Sequence, residues 1–364
     1  MKVLIYGAGV IGSLYAARLK QGGHDVTLLA RGQRLADLRK RGLEMEDLIT
    51  GERLTMTIDA VDALGPEDRY DLVITLVPKH CVAEILPALS ANHLVPCILF
   101  LGNNAAGPEA LAAAVGRERV LMGFPGAAGT REGNLVRFMD SRKGRRFPVI
   151  VGAPYPEATA RLPEAMALFR QAGTPALLER RIDDWLKSHA AFILPLAGAT
   201  YMTDMDVARL ADTRDALVML ARSLRESMGA LRAAGVTATP FFFRLLRWLP
   251  EPLLVYVARR RLRTPAAQHG LSHAHGARQE LAHLAQEFSE LSSASGYSMP
   301  ITDFLCAHIA PEAEPLPGGS TQLPLDWRGV WRDVALLMGA AAVWTMVRIY
   351  RRERRALARE TREL

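Results

Sequence analysis

Residues 2–20 read KVLIYGAGVIGSLYAARLK and place a glycine-rich turn between two unlike segments. The first segment, KVLIY, is a short apolar run with β-branched residues, which predicts a buried strand. The second, from Val10 to Lys20, has the length and composition of a helix and is closed by Gly22 and Gly23. The stretch therefore predicts a strand, a tight turn and a helix in direct succession.

The turn itself has the spacing G-x-G-x-x-G. The first glycine permits the tight turn, the second lets a pyrophosphate approach the backbone, and the third allows close packing of helix on strand. The helix N-terminus adds free N–H groups for an anion. Because the pattern follows a strand and opens a helix, it predicts a dinucleotide site formed by Gly7, Ala8, Gly9, Val10, Ile11 and Gly12.

The end of the second strand indicates which dinucleotide is bound. An enzyme that uses NAD normally has Asp or Glu there, to hold the ribose hydroxyls, but this chain reads Ala30-Arg31-Gly32. An arginine offers a planar, permanently charged fork that suits a 2'-phosphate. We therefore predict NADP as cofactor, with Arg31 as a ligand and Arg34 as a second candidate. The alternative is that both are solvated surface arginines.

The order of predicted elements defines the fold class. Up to about residue 180, short apolar runs alternate with amphipathic or alanine-rich segments, which predicts an α/β Rossmann-type parallel sheet domain. Beyond Ile182 long helical segments follow, which predicts an all-helical C-terminal domain. We expect an NADP-binding domain at 1–180, a helical substrate and catalytic domain at 181–310, and a linker with a basic helical appendage at 311–364. The predicted strands are Val3 to Tyr6, Val26 to Ala30, Leu72 to Leu76, Cys97 to Leu101, Val120 to Gly123, Val149 to Gly152 and Ala176 to Leu178, and the main helices beyond the sheet are Asp183 to about Leu196, Thr213 to Ala234 and His275 to Ser295.

Composition narrows the functional class. The chain has 364 residues, 49% hydrophobic and 23% charged, as is typical of folded globular proteins. Its three cysteines have no CxxC spacing, which argues against a disulfide framework or zinc ribbon and for a reducing, cytoplasmic location. The apolar N-terminus reads as a first strand and not as a signal peptide. The +7 net charge comes largely from 244–263 and 348–364, which lack nucleic-acid motifs, so no nucleic-acid partner is predicted.

Two segments leave the question of a membrane open. The 14 uncharged residues from Val334 to Val347 would extend about 21 Å as a helix, too short to cross a bilayer. This helix either packs on the body or lies on an anionic membrane surface, as a peripheral contact. The run FFFRLLRWLP at 241–250 is either a core or subunit-contact helix or a membrane patch. His269, His273 and His275 lack further ligands at metal spacing, so no metal site is predicted.

Taken together, the motifs resemble the ketopantoate reductase family (2-dehydropantoate 2-reductases) over about residues 1 to 308. The motifs are GAGVIG at 7–12, ARG at 30–32, TLVPKHCV at 75–82, LGNNAAGPEAL at 101–111, MGFPGAAGTREGNL at 122–135, DDWLK at 183–187, QEL at 279–281 and SGYSMPITDFL at 295–305. The resemblance implies that NADPH reduces the ketone of a 2-keto acid, with a lysine as general acid. We also expect a homo-oligomer.

The resemblance also implies the site residues. Asn103 would lie beside the nicotinamide and substrate, with Asn104 as a second candidate. Lys187 matches the family's catalytic lysine through Trp185-x-Lys, and small or apolar neighbours on its helical face predict room for a ligand. Glu280 would hold the substrate hydroxyl, and Lys79 would lie near the NADP phosphate and the substrate.

Each of these assignments has a plainer alternative. Lys187 would otherwise be a surface lysine paired with Asp183 one turn earlier, the two asparagines a turn, and Glu280 an exposed carboxylate. The chain also departs from the family pattern. Ala191 and Pro195 stand where the family has asparagines, and Gln268 stands where it has the serine that binds the substrate carboxylate, while Ser272 is four residues away. Two alternative functions therefore stay open. One is a related dehydrogenase of another small carbonyl, and the other is a non-catalytic NADP-binding protein that docks through its basic C-terminal tail.

Overall fold

The computed structural model describes residues 1–142, 144–246, 248–264, 267, 277–330, 338 and 346. The strands, in chain order, are β1 (Lys2–Tyr6), β2 (Asp25–Leu29), β3 (Leu43–Asp47), β4 (Arg53–Met56), β5 (Asp59–Val61), β6 (Leu72–Thr75), β7 (Ile98–Leu101), β8 (Val120–Phe124), β9 (Ala128–Glu132), β10 (Leu135–Met139), β11 (Ser141–Arg142), β12 (Arg145–Arg146), β13 (Val149–Gly152) and β14 (Ala176–Leu178). The helices are α1 (Val10–Gln21), α2 (Gly32–Arg41), α3 (Val82–Ala91), α4 (Glu109–Val115), α5 (Leu162–Gln171), α6 (Ile182–Met202), α7 (Val207–Asp212), α8 (Arg214–Ala233), α9 (Phe242–Leu246), α10 (Glu251–Leu262), α11 (Arg278–Ala294) and α12 (Pro300–Ala307).

The main sheet has eight strands in the order β14-β13-β8-β7-β6-β1-β2-β5. Neighbouring strands run parallel except β8 and β13, and Val3 of β1 lies between Val26 of β2 and Leu72 of β6. The seven strands predicted from apolar runs all belong to this sheet. Beyond Ile182, the described residues form helices and no strand. The predicted α/β Rossmann-type sheet with a following helical region is therefore confirmed.

A second sheet was not predicted. It has four strands in the order β4-β3-β10-β9 and lies against α1, where a Cβ at Gly129 would be 2.7 Å from Cγ1 of Val10. Its strands alternate apolar and charged residues, and β3 (LEMED) buries only Leu43 and Met45 fully. A sheet covered on one face has no continuous apolar run, and this explains why a search for such runs missed it.

The main sheet is buried on both faces. Val3 and Ile5 of β1 pack into one apolar cluster and Leu4 and Tyr6 into another, because successive side chains of a strand point to opposite faces. Helices cover both sides, so the carboxyl ends of the parallel strands form the edge at which a ligand binds in such folds.

The helical region is organised around α6, which packs on α8, α11 and α12. The stretch 311–324, which we expected to be a linker, contains no helix or strand but is held against α7 and α8. Arg209 donates to the carbonyl oxygen of Leu316, and the buried Asp215 carboxylate accepts from the N–H groups of Gln322 and Leu323. The stretch therefore packs as part of the helical region.

Several expectations lie outside the described residues. They concern the three histidines at 269, 273 and 275, Gln268 and Ser272, and most of the appendage, including nearly all of 334–347 and the arginines that follow. Within the described ranges, no helix combines the length and apolar character needed to cross a bilayer. In the same ranges, no group of three or more His, Cys, Asp or Glu residues could hold a metal ion.

Candidate active site

The glycine-rich turn between β1 and α1 is shaped by close backbone packing. Gly7 has a φ of +121°, and a Cβ there would lie 2.5 Å from the carbonyl oxygen of Leu76. A Cβ at Gly12 would overlap the carbonyl oxygen of Gly7. Both positions therefore require glycine, as the fingerprint predicts.

Gly9, in contrast, faces open space. A Cβ at Gly9 would have no heavy atom within 4 Å, and no side chain caps α1, which begins at the next residue. The N–H groups of the first helical turn, beginning at Val10, therefore stay available to an anion. The turn from Gly7 to Gly12 fits the pyrophosphate of a dinucleotide.

Arg34 forms hydrogen bonds that hold this turn in place. Its guanidinium donates to the carbonyl oxygens of Ala8 at 3.2 Å and Asn134 at 3.1 Å, and to the hydroxyl of Ser13 at 2.9 Å. The side chain is buried, and burial lowers its pKa to about 10. The expectation that Arg34 is a second ligand for a 2'-phosphate is therefore wrong, because its donors hold the glycine turn in place.

Arg31 has a different position. It is exposed, and it precedes α2 at the carboxyl end of β2. Burial raises the pKa of Tyr6 and of Cys81, and the charge of Arg31 opposes both shifts, so the guanidinium lies near the ends of β1 and the turn after β6. Arg31 is therefore an accessible cation beside the glycine turn.

Asn103 and Glu280 meet across the two parts of the chain. Asn103 follows β7, and its Nδ2 donates to Oε1 of Glu280 on α11 at 2.9 Å. The other amide atom, Oδ1 of Asn103, is buried and has no hydrogen-bond partner among the described residues. A buried acceptor without a donor is costly, so this oxygen is poised to receive an N–H or O–H from a ligand.

Asn103 also lines a small pocket of about 20 Å³. Lys79, from the turn after β6, lines the same pocket, and its Nζ lies 3.2 Å from Oδ1 of Asn104. Asn104 itself makes a turn, since its Nδ2 donates to the carbonyl oxygen of Gly107 and its Oδ1 accepts from the N–H of Gly107. Asn104 therefore shapes the loop, while Asn103 presents a free acceptor. The pocket lining includes Lys79, Phe100, Gly102, Asn103, Met122 and Leu186.

Glu287 is a site residue that the sequence analysis missed. One carboxylate oxygen lies 3.1 Å from Nζ of Lys79, and the other accepts from the N–H groups of Ala105 and Ala106 at 3.0 and 3.3 Å. The residue is buried. Nε2 of His283 lies 3.4 Å from Oε1 of Glu287, the oxygen that also pairs with Lys79. A signal was present, because Glu287 interrupts the apolar stripe of α11 directly before Phe288.

Lys187 lies outside the pocket lining. Its Nζ is 2.6 Å from Oδ2 of Asp183, and a Cβ at Gly107 would be 3.5 Å from the same ammonium. It therefore lies against the Asn104–Gly107 loop. The predicted room on its helical face is absent. Ala191 and Leu194 are fully buried in an apolar cluster, and the space beside Gly198 is filled by Leu305.

His189, two residues further on α6, belongs to an aromatic stack. Its ring is parallel to that of Trp185 with centroids 5.5 Å apart, and the Phe124 ring lies 4.2 Å from it. Burial lowers the pKa of His189 to about 4. The imidazole is therefore neutral at physiological pH and joins α6 to the end of β8.

Part of the sequence matches a known protein family. Residues 3–144, which include the glycine turn, Arg31, Lys79 and Asn103, match the family model described as ketopantoate reductase PanE/ApbA. The sequence of this part of the chain is therefore similar to that of the ketopantoate reductase family. A 2-dehydropantoate 2-reductase of Pyrococcus abyssi is 26% identical over 196 residues, which cover 52% of this chain and 60% of that protein. The chain thus aligns with less than two thirds of this relative.

Solved structures extend the likeness to the helical region at the level of the fold. A D-mandelate dehydrogenase determined with NADH and anilino(oxo)acetate has a TM-score of 0.69 at 19% identity, covering 85% of this chain and 97% of that one. A 2-dehydropantoate 2-reductase of Geobacter metallireducens has a TM-score of 0.67 at 20% identity, covering 85% and 99%. Ketopantoate reductases therefore share both the sheet and the helical arrangement described above.

Proposed function

We propose that the protein reduces a 2-keto acid to a 2-hydroxy acid with NADPH. The observation that carries this proposal is the buried, unpartnered Oδ1 of Asn103, whose side chain is hydrogen-bonded to Glu280 and lines one pocket with Lys79 at the carboxyl end of β7. Relatives named as 2-dehydropantoate 2-reductase support the reaction class. The cytoplasm remains the proposed location, in keeping with the three free cysteines, and a homo-oligomer remains a prediction.

The chemistry requires a hydride for the ketone carbon and a proton for the ketone oxygen. A bound NADPH would supply the hydride. Asn103 would orient the ligand through Oδ1, since that atom needs a donor and is held in place by Glu280. Glu280, as acceptor, would in turn receive the hydroxyl that forms. A lysine ammonium would stabilise the developing negative charge on oxygen and then transfer its proton.

Lys187 is the proposed proton donor, as the family resemblance implies. Its partner Asp183 is one helical turn away at 2.6 Å, and the lysine side chain is only 12% exposed. The ammonium would exchange that carboxylate for the ketone oxygen when it acts as the donor. Lys79 is held by the buried Glu287 and by Asn104, which suits a cation that fixes the loop and attracts a carboxylate. Lys79 is the second candidate for the donor.

Arg31 is the proposed ligand of the 2'-phosphate. It is exposed at the end of β2, where no carboxylate occupies the place of the ribose-binding acid. The D-mandelate dehydrogenase of similar fold was solved with NADH, so the fold by itself does not select the cofactor. The preference for NADPH rests on this one guanidinium.

A panel of 2-keto acids tests the reaction. The protein is mixed with NADPH and 2-dehydropantoate, 2-ketoisovalerate, pyruvate or benzoylformate, and the loss of NADPH absorbance is followed. We expect at least one acid to be reduced. Tight NADPH binding without turnover on any of them would instead support the non-catalytic alternative.

A further inference from the structure

The helices α9 and α10 present an apolar and basic surface to solvent. On α10 the residues Leu253, Tyr256 and Val257 are 43%, 58% and 43% exposed. Arg260 and Arg261 follow one turn later and are also exposed. These five positions have the i, i+3, i+4, i+7, i+8 spacing of a single helical stripe. A helix on the surface of a globular protein normally places polar residues on such a stripe.

The opposite side of α10 is firmly packed. Leu254, Val255 and Leu262 are buried in the apolar cluster of α8, and Glu251 is buried in an ion pair with Arg222 at 2.9 Å. The exposed stripe is therefore additional to the face that holds the helix in the fold.

The helix α9 and the residue before it also combine one buried side chain with exposed apolar ones. Phe243 is buried and its ring lies 5.3 Å from that of Phe192, while the neighbouring Phe241 and Phe242 are 65% and 53% exposed. Four residues, 247–250, separate α9 from α10, and both helices pack on α8. We call these exposed residues the aromatic–arginine face; they are Phe241, Phe242, Arg244, Leu245, Trp248, Leu253, Tyr256, Val257, Arg260 and Arg261.

The charge of this face restricts its partner. Between residues 241 and 263 the acid is Glu251, which is buried and neutralised, so the exposed charges there are arginines. A second copy of the chain in a two-fold interface would place arginine against arginine. A nucleic acid could stack its bases on the exposed aromatic rings, but it would leave the aliphatic Leu245, Leu253 and Val257 without an apolar partner. An anionic lipid surface can bind both the arginines and the apolar side chains of this face. Arginines bind the lipid headgroups, and aromatic and aliphatic side chains insert at the membrane interface.

Residues Asp326 to Gly329 lie beside the start of α10. The N–H of Asp326 donates to Glu251 at the start of α10, and the Cβ position of Gly329 lies 3.5 Å from Cα of Pro250. The sequence that follows has 14 uncharged residues at 334–347 and then seven arginines against three glutamates.

We propose that the aromatic–arginine face binds the surface of a membrane that contains anionic lipids. This attachment is independent of the reductase activity, because the Asn103 pocket lies on other elements of the fold.

Vesicle sedimentation of the full-length chain tests the proposal. The probes are vesicles of phosphatidylcholine alone and vesicles in which a third of the lipid is phosphatidylglycerol. We expect sedimentation with the anionic vesicles, little with the neutral ones, and release at high salt. Failure to sediment with either kind of vesicle would overturn the proposal.

Two variants and a control locate the contact. Arg260→Glu/Arg261→Glu and Tyr256→Ser/Val257→Ser should each weaken vesicle binding by about tenfold or more. Leu177→Ser/Leu178→Ser, at exposed positions of the edge strand β14, should leave it unchanged. Circular dichroism confirms folding, and NADPH oxidation reports the reductase separately. Vesicle binding equal to the parent in both variants would contradict the proposal, as would a change only in the oligomeric state, which would make the face a subunit contact.

Discussion

Lys79 and Glu287 form an ion pair of 3.1 Å between the sheet and the helical region, with side chains only 10% and 9% exposed. Glu287 also accepts the N–H groups of Ala105 and Ala106 in the loop that carries Asn103. One carboxylate on α11 thus fixes both a cation and a backbone segment of the candidate site.

Replacing Glu287 should destabilise the protein strongly. Glu287→Ala leaves the Lys79 ammonium buried without its partner, which costs about 3 to 5 kcal/mol in comparable pairs. Glu287→Gln keeps an acceptor for the loop and should cost less. The measurement is chemical denaturation followed by circular dichroism. Glu290→Ala, at an exposed position of the same helix, is the control and should change stability by less than about 0.5 kcal/mol. A similar loss in both alanine variants would contradict a special role for Glu287.

The two lysines should give different kinetic losses. Lys187→Ala should lower kcat by about a hundredfold or more and leave NADPH affinity unchanged, since a general acid contributes about 10² to 10⁴ to the rate. Lys79→Ala should raise KM for the keto acid more than it lowers kcat. Lys187→Arg keeps the charge but transfers protons poorly, and should restore only part of the activity. If Lys79→Ala instead gave the large loss of kcat and Lys187→Ala mainly raised KM, Lys79 would be identified as the donor.

Arg31 should determine the cofactor preference. The native protein should bind NADPH about tenfold or more tightly than NADH, because a charge-assisted contact to the 2'-phosphate contributes about 1.5 to 3 kcal/mol. Arg31→Ala should remove most of this difference when both dissociation constants are measured by fluorescence titration. Lys40→Ala, at an exposed position of the following helix α2, should preserve the difference. Equal affinities in the native protein would refute the inference from the missing acid.

His189 should make the protein less stable in acid. Its pKa is lowered to about 4 from the ordinary 6.5, so the unfolded chain binds a proton more readily than the folded one. The corresponding stability, about 3 kcal/mol, is present above pH 6.5 and is lost as the pH falls toward 4. His189→Phe should reduce this pH dependence in denaturation curves, whereas His93→Phe, at an exposed position, should not. Parallel pH profiles for His189→Phe and the native protein would contradict this account.

Removal of the C-terminal segment should separate two roles. A chain ending at Val330 should bind NADPH normally, because every candidate site residue precedes that point. A chain ending at Ala310 should be destabilised by about 2 kcal/mol or more, since the buried Asp215 loses the N–H donors of Gln322 and Leu323. Thermal denaturation and NADPH titration measure both effects. Loss of NADPH binding in the longer chain would show that the appendage is required by the site.

The sequence determined those features that depend on local pattern. The strand, turn and helix at 2–20 follow from apolar periodicity and glycine spacing, and six other strands of the main sheet from short apolar runs. The edge strand β5 was not predicted. Each of these patterns is encoded by neighbours in the chain, so no knowledge of the tertiary structure is required. The second sheet, which is exposed on one face, was not predicted because its strands contain no continuous apolar run.

The tertiary structure decided what each polar residue does. Arg31 and Arg34 stand three residues apart, yet one is exposed beside the glycine turn while the other is buried beneath it. Asn103 and Glu280 are 177 residues apart in sequence and hydrogen-bonded in space. Burial and long-range partners fix the charge state and the free donors or acceptors of a side chain, and both arise only when distant segments pack together. For that reason the sequence predicted the dinucleotide fingerprint, whereas the role of Glu287 emerged only from the folded chain.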